Sequence, residues 1–318
     1  MKAVVQDSYG EADVLRLVEI DTPSPAPGEV LIRVRAAGVD QGVWHIMSGL
    51  PYLGRLAFGL RRPKNPVRGR EVAGTIESVG AGVTAFTAGD AVFGTCEGSF
   101  AEYAVTSADR VVPKPANLSF EQAAAMPVSA CAALLAVRDR VHPGDRVLVL
   151  GASGGVGGFA VQLAKHFGAE VTGVASGAKL AFVRDLGADQ VVDYATGEIG
   201  AGFDLIVDTG GRRPLPELRK ALAPNGTLVI VGGEGGGKVL QGFGRQLRAM
   251  LAGGRGKQKL IGLMSAEKAN DLSALAALAE AGAIRSAVDR AFPLAQAADA
   301  VRYLRSGAVR GKVVVSVG

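Results

Sequence analysis

Residues 147–158 read VLVLGASGGVGG, an apolar run that passes directly into Gly151, Gly154, Gly155, Gly157 and Gly158. The run before predicts a strand, and GFAVQLAKHFG after it predicts a helix. A second apolar run, Val171–Ala175, completes a βαβ unit at the spacing a dinucleotide fold needs. Glycines at such a turn let a pyrophosphate approach the backbone. The helix start then offers free N–H groups and the positive end of its dipole. The spacing therefore predicts a dinucleotide cradle at Ser153, Gly154, Gly155, Val156 and Gly157. After the second strand come Ala175, Ser176, Gly177, Ala178 and Lys179, with no acid to accept a ribose 2′-hydroxyl. A hydroxyl and a cation suit a 2′-phosphate, so the expected cofactor is NADPH, held there by Ser176 and Lys179 with Tyr194 nearby. Thr209-Gly210 and Gly232-Gly233 follow two later apolar runs and are expected beside the ribose and the nicotinamide.

The elements that must position these residues change character along the chain. Up to about residue 120 short β-branched runs (MKAVVQ, EVLIRVRAAGV, EVAGTIESVG, AVFG) are punctuated by Pro23, Pro25, Pro27-Gly28 and Gly89-Asp90. That pattern predicts a β-rich domain. From about 119 onward helix and strand patterns alternate, which predicts a parallel sheet covered on both faces. Ser119 and Gln122 form a capping-box pattern, and one helix is expected over LSFEQAAAMPVSACAALLAVRDR. The closing GKVVVSV resembles the early strands and is expected to return to the first domain. The expected architecture is α/β, with a first domain over 1–120 completed by 289–318 and a doubly wound domain over 121–288.

Composition excludes several alternatives. Glycine contributes 45 of 318 residues, without a collagen period and among apolar segments, so a disordered glycine-rich chain is not expected. Cys96 and Cys131 are too few for a disulfide framework, and a reduced cytoplasmic setting is expected. No secretory leader is read at the N-terminus. Residues 147–164 carry no charge, yet their glycines mark strand, turn and helix and not a membrane span, so no membrane partner is expected. The net charge of +5 gathers in two stretches without acids. One holds Arg55, Arg61, Arg62, Lys64, Arg68 and Arg70, and the other Lys238, Arg245, Arg248, Arg255, Lys257 and Lys259. They read as solvated surface or as attraction for an anion, the second as a mobile segment over a cleft mouth. Aromatic residues at 5% speak against nucleic acid.

The blocks MKAVV, PAPGEVLIRVRAAGVD, GREVAGTIESVGAGVTAFTAGDAVFG, GSFAEYAV, GASGGVGG, FDLIVDTGG and RGKVVVSVG together resemble the medium-chain dehydrogenase/reductase superfamily, in its zinc-independent quinone-oxidoreductase branch. The resemblance implies a GroES-like catalytic domain built from both chain ends, a Rossmann domain between them, and a homodimer. It implies hydride transfer from NADPH to a small quinone or α,β-unsaturated carbonyl, in a cleft lined by DQGVWHIMSGLPYLG. Asp40 and Tyr52 are then the catalytic candidates and Trp44 a pocket residue. The places matching zinc ligands of the zinc enzymes hold Asp40, Arg70 and Ala130, so no metal is expected; a guanidinium cannot ligate one. His45 is expected on a helix face beside Trp44. The alternatives are a metal-free NADP-dependent aldehyde reductase or alcohol dehydrogenase, and an NADPH-binding regulatory or nucleic-acid-binding protein with little turnover.

Overall fold

The computed structural model describes residues 1–232, 237–240, 242–252 and 257–318. The chain divides into two compact units, Met1–Cys131 with Glu267–Gly318, and Ala132–Ala266.

In the first unit β1 (Lys2–Val5) and β2 (Arg16–Glu19) form an antiparallel pair. The main sheet contains β3 (Glu29–Val39), β4 (Glu71–Val79), β5 (Ala91–Thr95), β6 (Tyr103–Ser107) and β7 (Val111–Pro113). The long β3 pairs antiparallel with both β4 and β6. Its alternation explains its seat: Val30, Ile32 and Val34 are buried while Arg33 and Arg35 face solvent. Its last residues, Ala36 to Val39, are buried throughout. The helices met so far are α1 (Gln41–Ser48), α2 (Arg55–Phe58), α3 (Phe120–Ala124) and α4 (Pro127–Val137). The capping box at Ser119 and Gln122 is formed. The single long helix expected there is instead broken between α3 and α4. Pro127 has no N–H to continue the ladder, and the Ala123 carbonyl accepts the Met126 N–H at 3.2 Å to close the turn.

The second unit is a parallel sheet of β8 (Arg146–Leu150), β9 (Glu170–Ala175), β10 (Gln190–Asp193), β11 (Phe203–Asp208), β12 (Leu222–Ile230) and β13 (Lys259–Gly262), in the order β10-β9-β8-β11-β12-β13. The chain winds outward from β8 in one direction and then returns to lay β11 on its other side. That reversal is the switch point of a doubly wound sheet, and it lies between β8 and β11. Its helices are α5 (Gly155–His166), α6 (Leu180–Asp185), α7 (Leu215–Ala221) and α8 (Gly242–Ala252). The stretch expected as a mobile segment thus contains a helix, seated by the fully buried Ala249, and the short edge strand β13.

The chain then forms α9 (Ala269–Glu280), β14 (Val288–Pro293), α10 (Ala297–Arg305) and β15 (Lys312–Ser316). The C-terminal strand does return to the first unit: β15 runs antiparallel to β3, and β14 lies parallel to β15. Helix α9 packs on β7, and the Asn117 side-chain amide donates to the Ala279 carbonyl at 2.9 Å. Residues 267–288, placed with the second domain from the sequence, therefore lie in the first compact unit.

Candidate functional site

In the second unit the glycine turn sits at the carboxyl end of β8. Gly151 adopts φ +78°, and its N–H and that of Ala152 donate to the Val174 carbonyl at 3.1 and 3.0 Å. The loop is thereby pinned to the end of β9. Gly154 is the N-cap of α5 and no side chain caps that helix. The first-turn amides have no carbonyl partner within the helix, which suits an anion. A Cβ on Gly157 would lie 2.1 Å from the Gly151 carbonyl oxygen, so only glycine lets the helix approach the loop. Thr209 follows β11, and its hydroxyl donates to the Leu150 carbonyl at 2.7 Å. A Cβ on Gly210 would be 3.8 Å from the Gly151 nitrogen, and one on Gly232 would be 3.8 Å from the Thr209 carbonyl. Gly151–Gly157, Thr209, Gly210 and Gly232 are thus gathered at the carboxyl ends of β8, β11 and β12, with Ser153 and Val156 in the same turn. Gly233 lies outside the described residues.

At the end of β9, Ser176 leads into a 3-10 turn, Gly177–Lys179, closed by Lys179 N–H donating to the Ser176 carbonyl at 2.8 Å. Tyr194 N–H donates to the Ala175 carbonyl at 3.0 Å, which brings the exposed Tyr194 ring beside that turn. Two neighbours escaped the sequence reading. The Arg212 guanidinium lies 5.7 Å from the Tyr194 ring centre and adds a cation. An Asp193 carboxylate oxygen lies 2.6 Å from where a Cβ on Gly177 would stand. A third omission is an ion pair: Arg245 of α8, itself partly exposed, donates to the fully buried Asp208 at 2.7 Å, while Asp208 also accepts the Gly211 N–H at 2.8 Å. Arg245 belongs by sequence to a run of surface-like cations.

In the first unit Asp40 caps α1, accepting the Val43 N–H at 2.8 Å on Oδ1. Its residue is 8% exposed and Oδ2 has no hydrogen-bond partner. A Cβ on Gly42 would be 3.0 Å from Asp40 Oδ1 and 3.5 Å from an Arg70 guanidinium nitrogen, so carboxylate and cation converge there. Arg70 donates to Glu267 at 3.3 Å and keeps 36% of its side chain exposed. Next to Arg70, Glu71 is fully buried. It accepts Lys312 Nζ at 2.5 Å and the Val128 N–H at 2.9 Å, and Lys312 also donates to the Ser129 hydroxyl at 3.1 Å. Burial pushes the Glu71 carboxyl up, opposed by the Lys312 charge. Trp44 is buried, its ring 5.0 Å from that of His45 as expected and covered by the Arg305 guanidinium at 4.0 Å. Tyr52 stands in a 3-10 turn, 44% exposed, with Arg55 4.7 Å from its ring centre.

Residues 26–116 match the sequence model described as "Alcohol dehydrogenase GroES-like domain", and residues 186–315 match "Zinc-binding dehydrogenase". The chain is 31% identical to the chloroplast envelope quinone oxidoreductase homolog of Arabidopsis thaliana, over 99% of this chain and 98% of the relative. The chain belongs to the medium-chain dehydrogenase/reductase superfamily, in its quinone-oxidoreductase-like branch. Its structure is similar to the quinone oxidoreductase from Coxiella burnetii, with a TM-score of 0.85 and 30% identity, covering 100% of this chain and 99% of that one. A solved NAD-dependent alcohol dehydrogenase matches at TM-score 0.85 and 30% identity, with both chains fully covered.

For this dehydrogenase/reductase the donor sets can be tested against the groups the family implies. A nicotinamide dinucleotide fits: an uncapped helix start and bare glycine backbone form a cradle that side chains would fill. Zinc does not fit. Among the described residues no three His, Cys, Asp or Glu side chains gather as a metal site, and Arg70 brings a permanent positive charge beside Asp40. The thiols are no substitute. Cys96 and Cys131 are buried, and burial pushes the Cys96 thiol up to about 12. Cys96 is therefore expected to resist iodoacetamide in the native protein at about pH 8 and to react once unfolded, as mass spectrometry would read.

Proposed function

We propose that the protein is a zinc-independent, NADPH-dependent reductase that delivers hydride to quinones or α,β-unsaturated carbonyls. The observation that carries this reading is that Gly151–Gly157, Thr209, Gly210 and Gly232 lie together at the carboxyl ends of β8, β11 and β12, at the switch point of the parallel sheet. Bound there, a reduced nicotinamide supplies the hydride. The uncapped amides of α5 hold its pyrophosphate, and Ser176 and Lys179, with Tyr194 alongside and Arg212 adding charge, hold a 2′-phosphate.

The first unit handles the acceptor. A quinone or enone needs little Lewis-acid help, because hydride goes to an electron-poor carbon and the developing oxyanion then takes a proton. Arg70 supplies a fixed cation for that oxygen, and Tyr52 supplies the hydroxyl proton. The unpartnered Asp40 Oδ2 is a buried acceptor that orients a donor group of a bound molecule. The proposed setting is the cytoplasm, which suits a chain with only two cysteines. The proposed working form is a homodimer, as the resemblance implies.

A specific observation favours NADH as the second reading. The Asp193 carboxylate beside Gly177 would accept a ribose 2′-hydroxyl and repel a 2′-phosphate. Fluorescence titration separates the two. Ser176→Ala/Lys179→Ala is expected to weaken NADPH binding roughly tenfold or more and to leave NADH binding unchanged. Unchanged NADPH affinity would reject the NADPH assignment.

A further inference from the structure

Beyond Tyr52, the segment that follows α1 carries exposed side chains that the proposed reaction does not use. Leu53, Leu56, Phe58 and Leu60 are 49%, 67%, 42% and 68% exposed. Arg61, Arg62 and Lys64 follow directly and are exposed as well. No acidic residue occurs from Gly49 to Arg70. Four large apolar side chains within eight positions are more than the scattered exposure of an ordinary surface, and exposed apolar clusters rimmed by polar groups mark interaction sites.

The display is built into the backbone. Helix α2 is a single turn, too short to bury an apolar face. Its end is fixed by Gly59 at φ +124°, where a Cβ would lie 2.0 Å from the Arg62 carbonyl oxygen. Gly59 N–H donates to the Arg55 carbonyl and Lys64 N–H to the Phe58 carbonyl, both at 2.8 Å. The Tyr9 hydroxyl donates to the Gly59 carbonyl, and Arg55 Nε donates to the Gly49 carbonyl at 2.9 Å. The loop is tied down while its leucines point out.

We propose that Leu53–Lys64 seats the protein on an anionic phospholipid surface. Arg61, Arg62 and Lys64 match headgroup phosphates in charge, and the leucines with Phe58 enter the interfacial layer beneath. The same charge argues against a second copy on this patch. An isologous contact would press the cations of one copy against those of the other without any acid to pair them. The mode is surface attachment: among the described residues no helix is long and apolar enough to cross a membrane.

The test is flotation of the full chain with phosphatidylcholine vesicles, with and without phosphatidylglycerol, at low and high salt. Expected is binding to the anionic vesicles alone, lost at high salt. Leu56→Ser/Leu60→Ser and Arg61→Glu/Arg62→Glu are each expected to lower that binding about tenfold or more. All four side chains are exposed, so circular dichroism and the melting temperature should not change. Equal binding to neutral vesicles, no binding, or binding that survives both double variants would overturn the proposal. So would a concentration-dependent dimer, seen by ultracentrifugation, that Leu56→Ser/Leu60→Ser abolishes.

Discussion

Gly157→Val is expected to abolish useful dinucleotide binding, raising the Kd about a hundredfold or more in a calorimetric titration. A Cβ at this position would lie 2.1 Å from the Gly151 oxygen, 2.7 Å from the Gly151 carbonyl carbon and 2.9 Å from the Ala152 Cα. All three are backbone atoms of the turn itself, so no side chain can rotate away to make room. Either the loop opens or the helix start moves, and both carry the N–H groups away from the phosphates. The overpacking should also cost about 1–3 kcal/mol of stability. Gly154→Ala provides the contrast. Its Cβ would meet only the Gly151 oxygen, at 3.4 Å, with Gly154 in extended backbone. It should fold normally, so any affinity it loses reports the space a pyrophosphate needs. If Gly157→Val bound the dinucleotide as tightly as the parent, the cradle would be only a packing turn.

Lys312→Met is expected to have the largest effect on stability, about 3–5 kcal/mol in urea unfolding. It strands the Glu71 carboxylate, which is fully buried and packed against backbone so closely that a Cβ on Gly38 would lie 2.1 Å from it. Adding Glu71→Gln removes the stranded charge and keeps an acceptor for the Val128 N–H. The double variant should therefore recover much of the loss, and the cycle gives the coupling of the pair. The pH dependence has a defined sign. Burial raises the folded carboxyl above its unfolded value, and without Lys312 the Val128 N–H is left to oppose that. The folded variant then holds a proton that the unfolded chain has released. Its stability, relative to the parent, should fall as pH rises beyond the unfolded glutamate value of about 4.3. A variant as stable as the parent at neutral pH would show that the pair is dispensable.

These two effects differ in how far the sequence reveals them. The cradle is legible because strand, glycines and helix are neighbours in the chain and obey one local rule. The Ser119 capping box and the β-like C-terminal run are legible for the same reason. The Glu71–Lys312 pair is not, because its partners stand 241 positions apart and meet only because β3 pairs antiparallel with β15 on one side and with β4 on the other. Arg70 and Glu267, 197 positions apart, are hidden likewise. Asp208 and Arg245 are closer, but a guanidinium in a run of surface-like cations gives no sign that it turns inward to a buried carboxylate. Glycines 242 and 244 mask the start of α8, and β13 offers only four residues of pattern. Pro127 marks the break in the sequence, but the alanine-rich pattern on both sides of it is that of one continuous helix. Tertiary geometry also tempers the cofactor choice: Asp193 precedes Tyr194 in the chain, but only the pairing of β10 with β9 sets its carboxylate against Gly177.

The central claim, metal-free delivery of hydride from NADPH to a quinone or enone, meets its most direct test in NADPH oxidation by chelator-treated protein. The assay uses a 1,4-quinone, an enone and an aldehyde as acceptors, with Arg70→Met and Tyr52→Phe alongside the parent. The account predicts turnover with the quinone or the enone that the chelator does not reduce, faster with NADPH than with NADH, and lowered by both substitutions about tenfold or more. Turnover that needs added zinc, or NADPH that binds without being consumed by any acceptor, would contradict it.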